Sequence, residues 1–482
     1  MSLSGALSNA VSGLNANARG TAVISANVAN ALNADYGKRT LNLSTDPNQS
    51  SGGVRVVSVT RFSDPILAHQ KHAATSESAS ARVRADAAKS IEQLWGSVDT
   101  IDSVATKLTK FETSLSSAAA DPSSETRLKI VAQSAEDLAR SIRDAAKGIQ
   151  TLRTQADASI ATSVAEMNTS LQRLEELNKK VVLAKHLGQD TLSLLDQRNV
   201  ELERLSNQVP IHVVDRDNGA IAVFTGRGST LLDVNAVELS FQPQSPVLSH
   251  MTEANGLLSS LRVNGDVVDG SSSGLLSGGK LSAQFDLRNR TAPEAQQKLD
   301  AIARDLIERF GPGGPDTSLS ATDAGAFTDD GTTFDPVNQI GIAERLQVNS
   351  ALQSSSVDLW KWRDGIMSTT PGEAGDSSLL LALKSQLNVD IVPTTSSLGT
   401  AARSLTYHVQ NLTTTIAAER VRSDDQLTFA IQQLATVQEN VASNGVNTDQ
   451  EMQQLIELEK SYAANARVIR VVDEMLSELL GI

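Results

Sequence analysis

Apolar residues recur at alternating intervals of three and four along both ends of this 482-residue chain. Near the start, Leu3, Leu7, Ala10, Leu14, Asn17, Thr21, Ile24, Val28 and Ala31 keep that rhythm, with Asn17 and Thr21 as its polar members. Near the end, Leu455, Leu458, Tyr462, Asn465, Ile469, Val472, Leu476 and Leu479 keep it too, with a single Asn among them. A seven-residue period gathers such positions into one stripe on a helix, and that stripe needs a partner helix to cover it. Two stripes so far apart in sequence predict that the termini pair as a coiled coil. The same spacing also suits two ordinary amphipathic surface helices. The first segment carries Gly5, Gly13 and Gly20, each costing about 1 kcal/mol against Ala in a helix interior. Isolated helices of this kind are marginal. Residues 1–40 and 441–482 are therefore expected to be mobile in the free chain and to order on assembly.

Between the ends lie further long helices. Ile91, Leu94, Val98, Ile101, Leu108 and Leu115 share one seam. Asp121-Pro122 reads as a helix start, with Asp as cap and Pro at the first helical position. From there to about Leu183, Gly148 is the lone glycine, and Leu128, Val131, Ala135, Leu138, Ile142, Ala145, Ile149, Leu152 and Ala156 hold the helical rhythm. Some 60 helical residues span about 90 Å, which suggests a rod. The period changes after Pro210, where Asn218-Gly219 between two β-branched runs signals a β-hairpin. Short strands are expected at Glu238 to Phe241 and Leu261 to Val263. Helix follows from about Pro293 to Phe310, from Ser377, and from about Ser397 to Asn440. Residues 311–345, rich in Gly, Asp, Thr and Ser, read as a small loop-like or β-rich excursion.

Composition narrows the chemistry. With no cysteine, thiol catalysis, disulfides and Cys-ligated metals are excluded. A formal charge of −14 argues against a nucleic-acid partner, which would call for a basic patch. Nothing approaches the ~20 apolar residues of a membrane span, and the first residues lack the basic and apolar regions of a cleaved secretory signal. Gly274 to Lys280 fits the GxxxxGK of a phosphate loop, but Leu281 follows where Ser or Thr must bind Mg²⁺; a tight turn is the better reading. His69 and His72 share a helical face without a third metal ligand. Asp323, Asp329, Asp330 and Asp335 lack the order of a calcium loop. No catalytic, cofactor-binding or metal site is proposed, and the residue types point to packing surfaces.

Four strings resemble one known family. Ser25 to Arg39, SANVANALNADYGKR, resembles the N-terminal signature of the bacterial flagellar rod, hook and hook-associated proteins, matching at Asn27, Ala29, Asn30 and Tyr36. Ala34 and Asp35 stand where Pro and Gly are usual in that signature. Leu194, Leu195, Asp196, Gln197 and Arg198 resemble an LLDQR segment found in the junction-forming hook-associated branch and absent from hook and rod proteins. SGGKLSAQFDLRN resembles that branch's Gly-rich turn and helix, and residues 445–482 resemble the shared C-terminal signature.

The resemblance implies a mainly α protein with a smaller β part: an elongated multi-domain rod with paired terminal helices. Residues 1–40 and 441–482 would form an inner coiled-coil domain. Residues 41–310 and 346–440 would form a helical bundle with a β-hairpin near 210–235, and 311–345 a reduced outer domain. It further implies a structural subunit at the hook–filament junction, exported through the flagellar type III route without a cleaved signal. The implied partners are hook protein, a second junction protein, further copies in a ring and a cytoplasmic export chaperone, with no nucleic acid and no membrane insertion. Two alternatives remain open on the residues: a cytoplasmic coiled-coil scaffold or adaptor, and another rod or hook family member.

Overall fold

The computed structural model describes residues 3–33, 36–45, 52–96 and 102–481. In chain order the elements are α1 (Leu3–Ala29), β1 (Arg39–Thr45), β2 (Val54–Arg61), α2 (Pro65–Trp95), α3 (Val104–Ala120), α4 (Glu125–His186) and α5 (Leu192–Gln208). Next come β3 (Ile211–Asp215), β4 (Ile221–Thr225), β5 (Thr230–Leu232), β6 (Leu239–Ser240), β7 (Leu261–Val263), β8 (Asp266–Val268), α6 (Gly279–Asp286) and α7 (Ala292–Arg309). The remainder are β9 (Phe327–Asp329), α8 (Ile342–Arg345), β10 (Leu346–Val348), α9 (Lys361–Asp364), α10 (Ser378–Asn388), α11 (Leu405–Ser443) and α12 (Thr448–Leu480). The fold is mainly helical with small sheets, as the periodicity predicts.

The chain divides into two compact units rather than the three expected. The first holds residues 1–77, 167–237 and 430–482; the second holds 78–166 and 238–429. In the first, α1 packs on α12 and on an antiparallel hairpin of β1 and β2, which pairs Arg39 with Arg61 and Thr45 with Val54. That hairpin is absent from the sequence reading, and its pairing shifts register between Asn42 and Leu43. The hairpin of β3 and β4 forms where Asn218-Gly219 places it, with Gly219 at φ +91°, a conformation only glycine adopts freely. Its third strand is β5.

The second unit is built on the α4 seam. Leu128, Val131, Ala135, Leu138, Ile142, Ala145 and Ile149 are all buried. The chain's few aromatics concentrate beside it: Phe111 lies 5.8 Å from Phe327, 6.0 Å from Trp362 and 6.1 Å from Phe310. This overturns the expected separate excursion at 311–345, because Phe327, Ile342 and Ala343 sit in the same core. Asp300 of α7 holds that segment down, accepting from Gly341 N at 2.9 Å and Ala343 N at 3.0 Å. Its burial pushes the carboxyl pKa up, against the lowering effect of those bonds.

Three boundaries differ from expectation. Asp121-Pro122 is the turn after α3, where the Asp121 N–H bonds Ala118 O, and α4 starts at Glu125. The seam from Ile91 to Leu115 belongs to two helices, since α2 ends at Trp95; Val98 and Ile101 lie outside the described residues. α11 begins at Leu405, after an irregular stretch. Between α6 and α7, Leu287–Thr291 forms a π-helical turn. It drives Arg288 inward, where Nη1 meets Asp157 at 2.5 Å and Nη2 meets Glu253. Gly274 to Lys280 is a turn into α6, and Leu281 is fully buried.

Candidate functional site: the terminal helix pair and its clamp

The terminal seams meet in one antiparallel register. Asn17 Nδ2 donates to Ser461 Oγ at 3.0 Å, and Asn27 Nδ2 to Glu451 Oε2 at 2.9 Å. A Cβ on Gly20 would lie 2.8 Å from Leu458 Cδ1, and one on Gly13 would lie 2.6 Å from Asn465 Nδ2. The glycines that weaken α1 as an isolated helix thus let the two backbones approach.

Ile24 and Val472 are buried in this seam, and Leu3, Leu7, Leu14, Val28, Leu455, Leu458 and Ile469 are half-buried. The structure corrects four seam assignments. Thr21 is exposed, because Gly20 takes the place facing Leu458. Tyr462 is exposed, because Ser461 takes the position facing Asn17. Leu476 and Leu479 are exposed; the register carries them past the point opposite Leu3.

One residue anchors the end of the pair. Asn27, 1% exposed, uses its full bonding capacity of two donors and two acceptor positions. Nδ2 donates to Arg39 O and to Glu451 Oε2, each at 2.9 Å. Oδ1 accepts from the Tyr36 hydroxyl at 2.9 Å and from Arg39 N at 3.0 Å. Lys38 Nζ lies 3.3 Å from Glu451 Oε1. The Arg39 guanidinium lies 4.9 Å from the Tyr36 ring centre, a cation–π contact. Burial pushes the Tyr36 hydroxyl pKa up, against the lowering effect of Arg39.

Asp196 completes the cluster from α5. Its Oδ1 accepts from Arg61 Nε at 2.8 Å and from Gly37 N at 3.2 Å, and its Oδ2 lies 3.5 Å from Arg39 Nη2. Two signature strings far apart in sequence therefore meet through Asn27, Tyr36 and Asp196. The other signature residues do not join them. Asn30 Nδ2 bonds Ala26 O at the end of α1. Arg198 Nη1 bonds Gly219 O at 2.9 Å, and burial lowers its pKa. Leu194 and Leu195 are half-buried and Gln197 is exposed; Ala34 and Asp35 lie outside the described residues. Lys38 and Arg39 close the first string, but nothing in the spacing points to Arg61 or Glu451.

His69 stacks on His212, with ring centres 4.4 Å apart, and no metal-binding group of three or more ligands occurs among the described residues. His72 is buried, which lowers its pKa to about 4, with Lys71 and His69 adding to the effect. No helix among the described residues is long and apolar enough to cross a membrane.

Comparison with known proteins decides the family. The Flagellar hook-associated protein FlgK helical domain matches residues 88–311, and the Flagellar basal body rod FlgEFG protein C-terminal region matches 437–482. Flagellar hook-associated protein 1 of Bacillus subtilis (strain 168) is 23% identical over 489 residues, covering 94% of this chain and 93% of that protein. The chain belongs to the flagellar hook-associated protein 1 family. The Salmonella typhimurium member is 24% identical over 323 residues, which cover 64% of this chain and 56% of that protein. A solved flagellar hook junction protein FlgK from Burkholderia pseudomallei is similar at 19% identity and a TM-score of 0.43, covering 54% of this chain and 46% of that one.

Proposed function

We propose that this hook-associated family member is a structural subunit of the junction between flagellar hook and filament, acting through packing surfaces and without catalysis. The observation that carries this reading is the clamp, where the family's N-terminal signature and the LLDQR segment of its junction branch share one set of bonds. The helix pair is the assembly element. Its partners are hook protein, a second junction protein and further copies of the chain, with a cytoplasmic chaperone holding it before export. Leu476 and Leu479, exposed beyond the paired stretch, support the need for that chaperone. Export proceeds through the flagellar type III route without a cleaved signal.

Immunogold labelling of sheared flagella tests the reading. Label confined to the hook–filament boundary is expected. Label along the filament, or confined to the cytoplasm, would overturn it, the latter in favour of a scaffold.

A further inference from the structure

The LLDQR string serves two places. Asp196 joins the clamp, whereas Leu195 and Arg198 line a pocket of about 450 Å³ within the first unit. Its walls come from the end of β2, the first turns of α2, one face of α5 and the β3–β4 hairpin. Leu195, Leu202, Val213 and Ile221 give them an apolar stretch. Volumes of about 300–1,000 Å³, with apolar walls and a few placed polar groups, are typical of small-molecule sites. The polar groups here have bonding capacity to spare. Arg198 carries five N–H donors. Its Nη1 bonds Gly219 O, and among the described residues its guanidinium forms no ion pair. Asp215 on the wall acts on it only at longer range, and Arg61, held at Nε by Asp196, adds a second positive charge. The Asn199 side chain also lines the pocket without a hydrogen bond among the described residues. So does His72, 6% exposed and kept neutral by its lowered pKa.

We propose that this pocket binds a small organic acid, a carboxylate carried on a short hydrocarbon body. The carboxylate takes the free N–H groups of Arg198 as a fork, a geometry that matches its two oxygens, and Asn199 Nδ2 donates beside them. The body covers Leu195, Leu202, Val213 and Ile221. Arg39, Arg61 and Arg198 against Asp196 and Asp215 leave a local excess of positive charge, which favours an anion. Buried polar groups short of partners are costly, and an occupant that supplies them is favoured. Walls drawn from several elements suit a free molecule better than a strand or helix of another polypeptide, which needs an open edge or groove. This binding is separate from the assembly role.

Titration calorimetry on the full-length chain tests the proposal, with hexanoate as the acid and 1-hexanol as the same body without the charge, at matched ionic strength. Hexanoate should bind saturably, and about tenfold or more tightly than hexanol. Histidine ring signals in NMR locate the site: the signal that His72→Leu removes should shift as hexanoate binds. Arg198→Met should abolish the preference for hexanoate over hexanol. If Arg198→Met does not fold, Asn199→Ala removes a side chain without a hydrogen bond among the described residues; it should weaken hexanoate several-fold and leave hexanol unchanged. No saturable hexanoate binding, equal binding of hexanol, an unmoved His72 signal, or a preference that survives both substitutions would overturn the proposal. Tighter binding of a capped Leu-Glu-Leu peptide than of hexanoate would overturn it too, in favour of a polypeptide side chain as occupant. A failed labelling experiment leaves the pocket standing, and a failed titration leaves the junction reading standing.

Discussion

Replacing Gly20 with Ala sets two effects of similar size against each other. In an isolated helix the change is favourable by about 1 kcal/mol, because Ala is the better helix former. In the pair, the new methyl would lie 2.8 Å from Leu458 Cδ1, 3.5 Å from Leu458 Cδ2 and 3.7 Å from Leu41 Cδ2. Carbon contacts prefer about 3.5–4.0 Å, so Leu458 or the whole of α12 must retreat by roughly 1 Å. Overpacking of that kind costs about 1–3 kcal/mol. The expected net effect is a destabilisation of the pair by about 1 kcal/mol, with part of the cost relieved by rotation of the Leu458 side chain. In a Leu458→Ala background the clash is gone and only the helix-forming gain remains. Gly20→Ala should then stabilise by about 1 kcal/mol, a reversal of sign that corresponds to a coupling near 2 kcal/mol, within the range for residues in contact. The assay is the opening free energy of α1 amides around residue 20, from hydrogen exchange on the four proteins of the cycle. Stabilisation by Gly20→Ala in the parent chain, with no coupling to Leu458, would refute close approach as the reason for glycine.

Arg288→Met should destabilise the second unit by about 3–5 kcal/mol in urea unfolding, because Asp157 is left buried without its charge partner; adding Asp157→Leu should recover much of the loss. His72 titrates near 4 in the folded chain against an ordinary 6.5. Its contribution is therefore fully present above about pH 6.5 and lost progressively as pH falls toward 4, by about 3 kcal/mol at most. His72→Leu should flatten that acid limb in a pH series of melts, and an unchanged limb would contradict the assignment. Lys280→Ala should leave melting unchanged, and ATP should not shift the melting of the parent chain; stabilisation by ATP that the substitution abolishes would restore the phosphate-loop reading.

Terminal pairing is legible from the heptad spacing, because a stripe of Leu, Ile and Val must be covered whatever covers it. The register is harder to read. Gly13 and Gly20 stand seven residues apart, as Leu458 and Asn465 do, and that shared interval is the sequence trace of close approach. Read singly, those glycines look only like weak points. Asn27 and Tyr36 are legible as parts of a signature, but Arg61 and Glu451 reach them by tertiary folding, which no local spacing encodes. The 311–345 stretch misleads for a related reason. Its Gly and Asp content is that of a surface loop, yet Phe327 and Ile342 are buried and Asp300, distant in sequence, satisfies its backbone. At Asp121-Pro122 the dipeptide serves the end of one helix instead of the start of the next.

Both connections to the terminal pair leave it at the Asn27 end, the chain that follows α1 and residues 444–447 before α12. A single polypeptide link swivels, because φ and ψ are soft torsions. Here there are two links, and the helices they serve are packed on each other, which sets their axes about 8–10 Å apart. The Asn27–Glu451 bond and the Lys38–Glu451 pair tie one to the other, and Asp196 ties the first to α5 through Gly37 and Arg39. Twist applied to the helices meets that lever arm and those bonds at once, so torque is carried through the clamp instead of being dissipated in free rotation of a linker.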